Sequence, residues 1–327
     1  MFHFLVEEKL KMVSKKVQVP ISTKDPCPVF KKGKFVVNFP KKIAEFEGAL
    51  HRFPVKKILY NAMFQGKGLE FDSYRDFSPS DDAGLIDWKA TLRANNLLAK
   101  SYIEERDLNI YFLVDVSNSM LFGSGDKLKA EYAAEFVVAL SHLIVNSGDK
   151  IGLVMFDEGV VKILHPSNSK NQFALFAKSL SDPNLYGGGF DLNKAVDYVL
   201  KRVKASYTVF ILVSDFIKTR KDSEKTLRLM GARYETIAVM VRDPMDERLP
   251  EMSYQFAVQD PYSGKQMVLD PAIAAERYRK NVIRQKGMMK EIFRKSQIDF
   301  LELMTEKSFA MPTASFLKAR ALGGGRI

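Results

Sequence analysis

The sequence predicts an α/β protein with a mostly parallel sheet flanked by helices. Four short apolar runs indicate the strands, at 110–114, 151–156, 209–213 and 237–241. Their Val, Ile, Leu and Phe residues do not alternate with polar ones, which is typical of strands buried on both faces of a sheet. Segments with helical periodicity lie between these runs. In one of them, apolar residues recur every fourth position at Leu128, Tyr132, Phe136, Leu140 and Ile144, and a second apolar stripe runs from Leu192 to Val203.

Each of the four apolar runs stops at an acid or shortly before one. These acids are Asp115, Asp157, Asp215 and Asp243. The carboxyl ends of parallel strands meet at one edge of the sheet, and ligands of open α/β sheets bind at that edge. We therefore expect the functional residues to gather there.

The flanking segments divide the chain further. Residues 1–60 are predicted to form a basic N-terminal extension, in which five prolines interrupt any long element. Residues 61–108 form a segment that packs on the core, and residues 109–245 form the α/β domain. Residues 246–327 form a C-terminal extension with a long basic helix at 272–296, a last strand at 300–303 and a glycine-rich tail.

Composition favours a cytoplasmic protein. The chain has 327 residues, of which 46% are hydrophobic, so it can bury a substantial core. Its single cysteine, Cys27, excludes an intramolecular disulfide and a cysteine-based metal site. The apolar stretch at the N-terminus is too short for a secretory signal, and no segment reaches the length of a membrane-spanning helix.

The net charge of +11 is concentrated at the two ends of the chain. Residues 1–60 carry 13 Lys and Arg against 5 acids, and residues 271–327 carry 12 against 5. Such basic flanks can bind nucleic acid, an anionic membrane surface or an acidic protein. They can also be solvated surface, and that interpretation is favoured because charge runs usually do no more than keep a chain soluble. No nucleic-acid recognition motif accompanies the charge.

The strand end at Asp115 is a candidate metal site. Asp115, Ser117 and Ser119 place three oxygen-bearing side chains in alternate positions where a buried strand reaches the surface. Mg²⁺ is a hard cation that binds through few carboxylates, so one aspartate with two hydroxyls suits it. Asp157 and Asp243 are predicted to cap helices or turns instead.

A second group of residues mixes charge with the only tryptophan. It consists of Arg75, Asp76, Asp87, Trp88, Lys89 and Arg93. This composition is suited either to a protein interface or to buried ion pairs. A lone tryptophan is more often a core residue than a contact residue, so we expect Trp88 to be buried. His142 has no second histidine near it and is expected to be a packing or surface residue.

Two resemblances follow from these residues. The Asp-x-Ser-x-Ser at 115–119, the glycine turn at 187–189 and the strand end Ser214-Asp215 resemble the metal-ion-dependent adhesion site of von Willebrand factor A domains. The stretch 66–105 resembles the segment that precedes such a domain in the family called domain of unknown function 58. It includes Gly66-Lys-Gly-Leu-Glu-Phe71, Tyr74-Arg75-Asp76, Asp81-Asp82, Ile86 to Thr91 and Glu104-Glu105, and the tail matches at Asp299 to Leu303.

The resemblance implies a set of metal ligands. In that site an Asp and two Ser of the first loop, a Thr of the second and an Asp of the third hold the ion, which maps onto Asp115, Ser117, Ser119 and Asp215. The second loop departs from the pattern, because Phe190 stands where the family has Thr. Asp191 or a water would then have to supply the missing oxygen.

The resemblance also implies a function. It indicates a non-catalytic interaction module that uses Mg²⁺ to receive a partner's acidic side chain. It further implies that the protein is a partner of a MoxR-type AAA+ ATPase in the assembly or maturation of other proteins. Two alternatives remain open, a metal-dependent phosphoesterase and a nucleic-acid-binding adaptor that uses the basic ends. The enzyme is disfavoured because no general base or activated nucleophile is evident.

Overall fold

The computed structural model describes residues 35–50, 71–78, 81, 83–94, 96–102, 108–204, 208–251, 254–260 and 262–323. Several sequence predictions lie outside this part of the chain. They concern the basic segments 1–34 and 51–60 with Cys27, the family-specific residues 66–70, 82 and 104–105, and the tail after residue 323.

The described residues form strands and helices that alternate along most of the chain. The strands are β1 Phe71–Asp76, β2 Leu98–Tyr102, β3 Asn109–Asp115, β4 Lys150–Phe156, β5 Val160–Ser167, β6 Thr208–Ser214, β7 Glu235–Arg242, β8 Phe256–Gln259, β9 Gln266–Leu269 and β10 Asp299–Met304. The helices are α1 Phe39–Leu50, α2 Trp88–Ala94, α3 Lys129–Asn146, α4 Lys170–Ser181, α5 Leu192–Arg202, α6 Ser223–Arg233, α7 Pro244–Glu247, α8 Pro271–Lys295 and α9 Ala310–Gly323. Short 3₁₀ turns cover Ala83–Leu85, Asn118–Leu121 and Pro183–Leu185.

A six-stranded sheet lies at the centre of the described structure. Its strand order is β10-β7-β6-β3-β4-β5, and every neighbouring pair is parallel except β4 with β5. Read in chain order this is 3-2-1-4-5-6, the order of a doubly wound sheet. The direction of winding reverses between β3 and β6, so the crevice expected to bind a ligand lies at the carboxyl ends of these two strands. The predicted α/β architecture with a mostly parallel sheet is confirmed.

Helices cover both faces of the sheet because side chains of a strand alternate between its faces. On β3, Ile110, Phe112 and Val114 pack in one cluster with residues of α1, α3, α4 and α9. Tyr111 and Leu113 pack in the other cluster, with residues of α5, α6 and α8. The two-sided burial explains why the strands contain no polar alternation.

The ends of the chain contribute more to the core than the sequence indicated. Helix α1 lies within the segment that was expected to lack long elements. The helix can form there because its proline is the second residue, where a helix tolerates a missing N–H donor. The backbone N–H of Val36 donates to Glu131 of α3 at 2.6 Å, and that of Asn38 donates to Glu135 at 2.7 Å. At the other end, β10 pairs along its whole length with β7. The last strand therefore completes the central sheet.

Two smaller sheets lie outside the central one. Strands β1 and β2 pair antiparallel next to α2, and β8 pairs antiparallel with β9. The second hairpin was not predicted from the sequence, and it packs on α8 through a small cluster of Leu249, Val258, Leu269, Tyr278 and Val282. None of the described helices combines the length and the apolar character that a membrane crossing requires.

Candidate functional site

The first loop of the site begins where β3 ends. Asp115 is fully buried, and its two carboxylate oxygens have different partners. Oδ1 accepts from the backbone N–H of Ser117 at 2.9 Å, and Oδ2 accepts from the hydroxyl of Ser214 at 2.5 Å. The hydroxyl oxygens of Ser117 and Ser119 are 3.3 Å apart. The three predicted first-loop residues therefore lie together, and Ser214 ties them to the end of β6.

The third loop contributes Asp215, which forms an ion pair with a buried lysine. Asp215 Oδ1 accepts from the backbone N–H of Ile217 at 3.0 Å. Its Oδ2 accepts from Lys129 Nζ at 2.7 Å, and the same ammonium donates to Asp246 Oδ2 at 2.9 Å. Lys129 is only 1% exposed. A buried lysine thus holds the acid that the resemblance assigns to the metal.

The turn after Asp215 has an unusual backbone. Phe216 is left-handed, with φ 51°, which is uncommon for a bulky residue. Its N–H donates to Ser214 Oγ at 3.0 Å, and its ring packs edge-on against Phe293 with centroids 5.1 Å apart. Such strain is tolerated where the surroundings fix the conformation, and it is common at binding sites.

The second loop contributes backbone but no hydroxyl to the site. The N–H of Gly187 donates to the carbonyl of Val116 at 2.8 Å, so the second loop is tied to the first. Gly188 has φ 75°, and a Cβ there would lie 2.5 Å from Asp157 Oδ2, which explains the glycine. Phe190 packs against Phe156 at a centroid distance of 6.1 Å. Its ring is part of the apolar packing under the loop.

The structure gives Asp191 partners on its own helix. It is the N-cap of α5, where Oδ1 accepts from the N–H of Lys194 at 3.0 Å and Oδ2 lies 3.4 Å from Lys194 Nζ. N-capping satisfies one of the unpaired N–H groups at a helix start, so this role is sufficient to explain an aspartate here. Its assignment as a substitute ligand remains a prediction.

A tyrosine from outside the three loops reaches the site. Tyr262 lies in the turn between β8 and β9, and its hydroxyl is 3.2 Å from Ser117 Oγ. Lys218 of the third loop places its Nζ 3.1 Å from the centroid of the Tyr262 ring. The residues from Asp260 to Gly264 have the composition of a turn, but nothing local shows that the turn returns to β3 across 145 positions. Sequence reasoning therefore missed Tyr262.

Electrostatics separates the two central carboxylates. Burial raises the pKa of Asp115 to about 7, and the nearby negative charge of Asp215 adds to the shift. Burial also opposes ionisation of Asp215, yet Lys129 and Arg242 hold its pKa below the ordinary value. The environment of the pair therefore favours the negative charge on Asp215, whereas burial favours the protonated form of Asp115.

The oxygen atoms around Ser117 have the spacing of a small hard cation's ligands. Octahedral Mg²⁺, with oxygens at about 2.1 Å, places neighbouring ligands about 3 Å apart. The separations of 3.3 Å to Ser119 Oγ and 3.2 Å to Tyr262 Oη are close to this value. Among the described residues, no group of three or more His, Cys, Asp or Glu could hold a metal. A cation here would be held by one carboxylate, Asp115, and by hydroxyl oxygens.

The remaining strand-end acids act as caps, as expected. Asp157 Oδ1 accepts from the N–H of Gly159 at 2.9 Å. Asp243 is the N-cap of α7, and its carboxylate also accepts from the hydroxyl of Ser124 at 2.5 Å. Both residues stabilise turns at the edge of the sheet.

The predicted interaction residues lie together around β1, β2 and α2. Arg75 forms a bidentate pair with Asp81, with N–O distances of 2.6 and 2.7 Å, and this pair lowers the pKa of Asp81 to about 2. Asp87 accepts from the N–H groups of Lys89 at 3.0 Å and Ala90 at 3.1 Å, so it caps the start of α2.

The outer surface of this segment is exposed. Trp88 is 63% exposed, so the expectation that it is a core residue was wrong. It occupies the first position of a seven-residue helix that buries none of its residues. Asp76 accepts from Asn96 Nδ2 at 2.7 Å, and Arg93 lies in the last turn of α2. The ion pairs are therefore surface pairs, and an interface role for the six residues remains a prediction.

Two relatives are similar to this chain over most of its length. The uncharacterized protein Rv1480 of Mycobacterium tuberculosis is 25% identical over 265 residues, which cover 80% of this chain and 82% of the relative. The uncharacterized protein Mb1516 of Mycobacterium bovis gives the same values. Neither relative's name states a function.

Similar solved structures are distant. BatB from Bacteroides thetaiotaomicron has a TM-score of 0.47 at 16% identity and covers 65% of this chain and 98% of its own. Mussel proximal thread matrix protein 1, solved with a zinc-occupied MIDAS motif, has a TM-score of 0.36 at 15% identity over 66% and 48% of the two chains.

A family model establishes the relationship that the motifs indicated. The model described as protein of unknown function DUF58 matches residues 73–288. The match spans most of the β1–β2 segment, all three loops of the site and most of α8. This chain therefore belongs to the DUF58 family.

Proposed function

We propose that this protein is a non-catalytic interaction module whose partner docks at the carboxyl edge of the sheet, beside Asp115. It works with a MoxR-type AAA+ ATPase in the assembly or maturation of other proteins. The observation that carries the proposal is the position of Asp115, Ser117, Ser119 and Asp215 at the reversal point between β3 and β6. Doubly wound sheets bind their ligands at that point.

The chemistry of the edge favours binding over catalysis. The two serine hydroxyls contact each other and a tyrosine hydroxyl. Activation of a serine nucleophile needs a base within hydrogen-bond reach, usually a histidine. His142 instead lies on α3 against Phe173, with ring centroids 5.5 Å apart. The expectation that His142 is a packing or surface residue agrees with this contact and with its partial exposure.

Mg²⁺ would act as an anchor in this proposal. Asp115, Ser117 and Ser119 would hold it, and it would supply positive charge that these ligands leave incompletely neutralised. An aspartate or glutamate of the partner could complete its shell, because Mg²⁺ prefers oxygen ligands and commonly binds through one or two carboxylates. The cytoplasmic location, and attachment to a membrane surface through the basic ends, remain predictions.

Binding to the ATPase tests the proposal. Purified wild-type protein and the Asp115→Ala variant would be titrated against a MoxR-type ATPase from the same organism, with Mg²⁺ present and after chelation. We expect binding that weakens at least tenfold in the variant and on chelation. Asp197→Ala, which changes an exposed acid on α5, is the matched control and should bind like the wild type. Equal affinity of Asp115→Ala and wild type would contradict the proposed docking site.

A further inference from the structure

We propose that Tyr262 supplies the hydroxyl that the second loop lacks. The β8–β9 hairpin would then be a fourth segment, beside the three loops, that contacts the cation and the partner. This inference rests on the proposed function, since it assigns a further ligand-facing residue to the same site. It concerns the departure at Phe190, where the family pattern has a threonine.

The structure places three hydroxyl groups together. Ser117 Oγ lies 3.3 Å from Ser119 Oγ and 3.2 Å from Tyr262 Oη. Both separations suit neighbouring oxygens around a small cation. Phe190, by contrast, packs against Phe156 and against the apolar cluster between the sheet and helices α5, α6 and α8. The tyrosine therefore adds a hydroxyl oxygen beside the first loop, whereas Phe190 of the second loop contributes none.

The hairpin turn is built to hold Tyr262 in this position. Asp260 is 5% exposed, and its carboxylate accepts from the N–H of Tyr262 at 3.2 Å and from the hydroxyl of Ser263 at 2.5 Å. The N–H of Gly264 donates to the carbonyl of Asp260 at 2.9 Å, with Gly264 at φ 67°. The left-handed glycine closes the turn without the steric cost of a side chain.

The ring of Tyr262 is also fixed from the side of the site. Lys218, from the loop after β6, lies with Nζ 3.1 Å from the ring centroid. Ammonium groups are attracted to the negative face of an aromatic ring. Contacts from the turn and from the third loop therefore limit the positions of the hydroxyl, which is what a ligand-facing group requires.

The chemistry of a phenol suits this role. A tyrosine hydroxyl is neutral at ordinary pH and can donate one hydrogen bond and accept others. It therefore adds an oxygen without adding negative charge, as the family's threonine would. The cation keeps the charge with which it attracts a partner carboxylate, and the phenol O–H can donate to that carboxylate or to a water between them.

A rescue experiment tests the inference with Mn²⁺ as the probe. Mn²⁺ would be titrated by calorimetry into the full-length wild type and the variants Tyr262→Phe, Phe190→Thr and the double variant. Mutation of a group that hydrogen-bonds a metal ligand typically weakens metal binding by about 10- to 100-fold, and Tyr262 contacts the proposed ligand Ser117. We expect Tyr262→Phe to weaken binding by about tenfold and the added Phe190→Thr to restore most of it. Melting temperatures would show that each variant is folded.

Tyr254→Phe is the matched control, because Tyr254 is 41% exposed and precedes the hairpin. It should bind Mn²⁺ like the wild type. Unchanged or tighter binding by Tyr262→Phe would overturn the inference, since the hydroxyl would then be irrelevant or would obstruct the site. Wild-type protein that binds no Mn²⁺ at millimolar concentration would overturn it as well. In both cases the Asp115→Ala partner assay would still decide the proposed function separately.

Discussion

Removing the charge of Lys129 tests how the buried part of the site is held together. Lys129 starts α3 and is 1% exposed, and its ammonium bonds to Asp215 at 2.7 Å and to Asp246 at 2.9 Å. Lys129→Met keeps an apolar side chain of similar length but leaves two acids without their shared cation. Removing one partner of a buried ion pair costs about 3–5 kcal/mol, because the remaining charge is buried and uncompensated.

The structure places the expected loss within that range. Asp215 keeps its bond from the N–H of Ile217 and the nearby positive charge of Arg242, and Asp246 keeps a bond from the N–H of Asp243. These contacts limit the loss, whereas the presence of two acids raises it. We therefore expect Lys129→Met to lower the free energy of unfolding by about 3–5 kcal/mol at pH 7.5, measured by urea denaturation.

The pH dependence of this loss has a definite sign. Without the lysine, burial favours the protonated form of Asp215 in the folded state, so the variant loses stability as the pH rises. The difference from wild type should therefore shrink when the pH is lowered from about 8 to about 5. Adding Asp246→Asn should recover part of the loss, because it removes one of the two uncompensated charges.

Lys194→Met is the control for this experiment. It breaks an exposed pair with Asp191 at 3.4 Å and should cost about 1 kcal/mol or less. A loss below about 1 kcal/mol for Lys129→Met, or a difference from wild type that grows towards low pH, would refute the reasoning. The buried ammonium would then not be what stabilises the two acids.

Three further predictions concern stability away from the site. A Cβ on Gly231 would lie 1.9 Å from a backbone carbonyl oxygen, so Gly231→Ala should cost about 1–3 kcal/mol in urea denaturation. Arg320→Met should lower the melting temperature markedly, because it removes the guanidinium 2.5 Å from the buried carboxylate of Asp299. Burial raises the pKa of Glu247, but the hydrogen bond from Lys286 outweighs burial and lowers it overall. The pair therefore stabilises the fold fully above the unfolded pKa of a glutamate, about 4.3, and this stabilisation is lost as the pH falls through the lower pKa of the folded state. Lys286→Met should therefore weaken the acid dependence of stability, and an unchanged pH profile would contradict this.

The local sequence pattern predicted the buried strands of the sheet but not its partly exposed edge strand. The apolar runs ending before Asp115 and Asp215 were readable because a strand covered on both faces must be apolar throughout. Strand β5 was not readable in this way. It pairs antiparallel at the edge of the sheet and is partly exposed, so its residues do not form a continuous apolar run. Helix α1 was missed because proline usually interrupts helices, whereas Pro40 lies in the first turn, where proline is compatible with a helix.

The sequence by itself determined the α/β architecture and the first loop of the site. Asp115, Ser117 and Ser119 are close in the chain, and the end of a buried strand fixes their relative positions. Only the tertiary structure decided that Lys129 neutralises Asp215, that Tyr262 meets Ser117, and that Trp88 is exposed. These contacts depend on how distant segments pack against one another, and a short-range pattern contains no information on that packing.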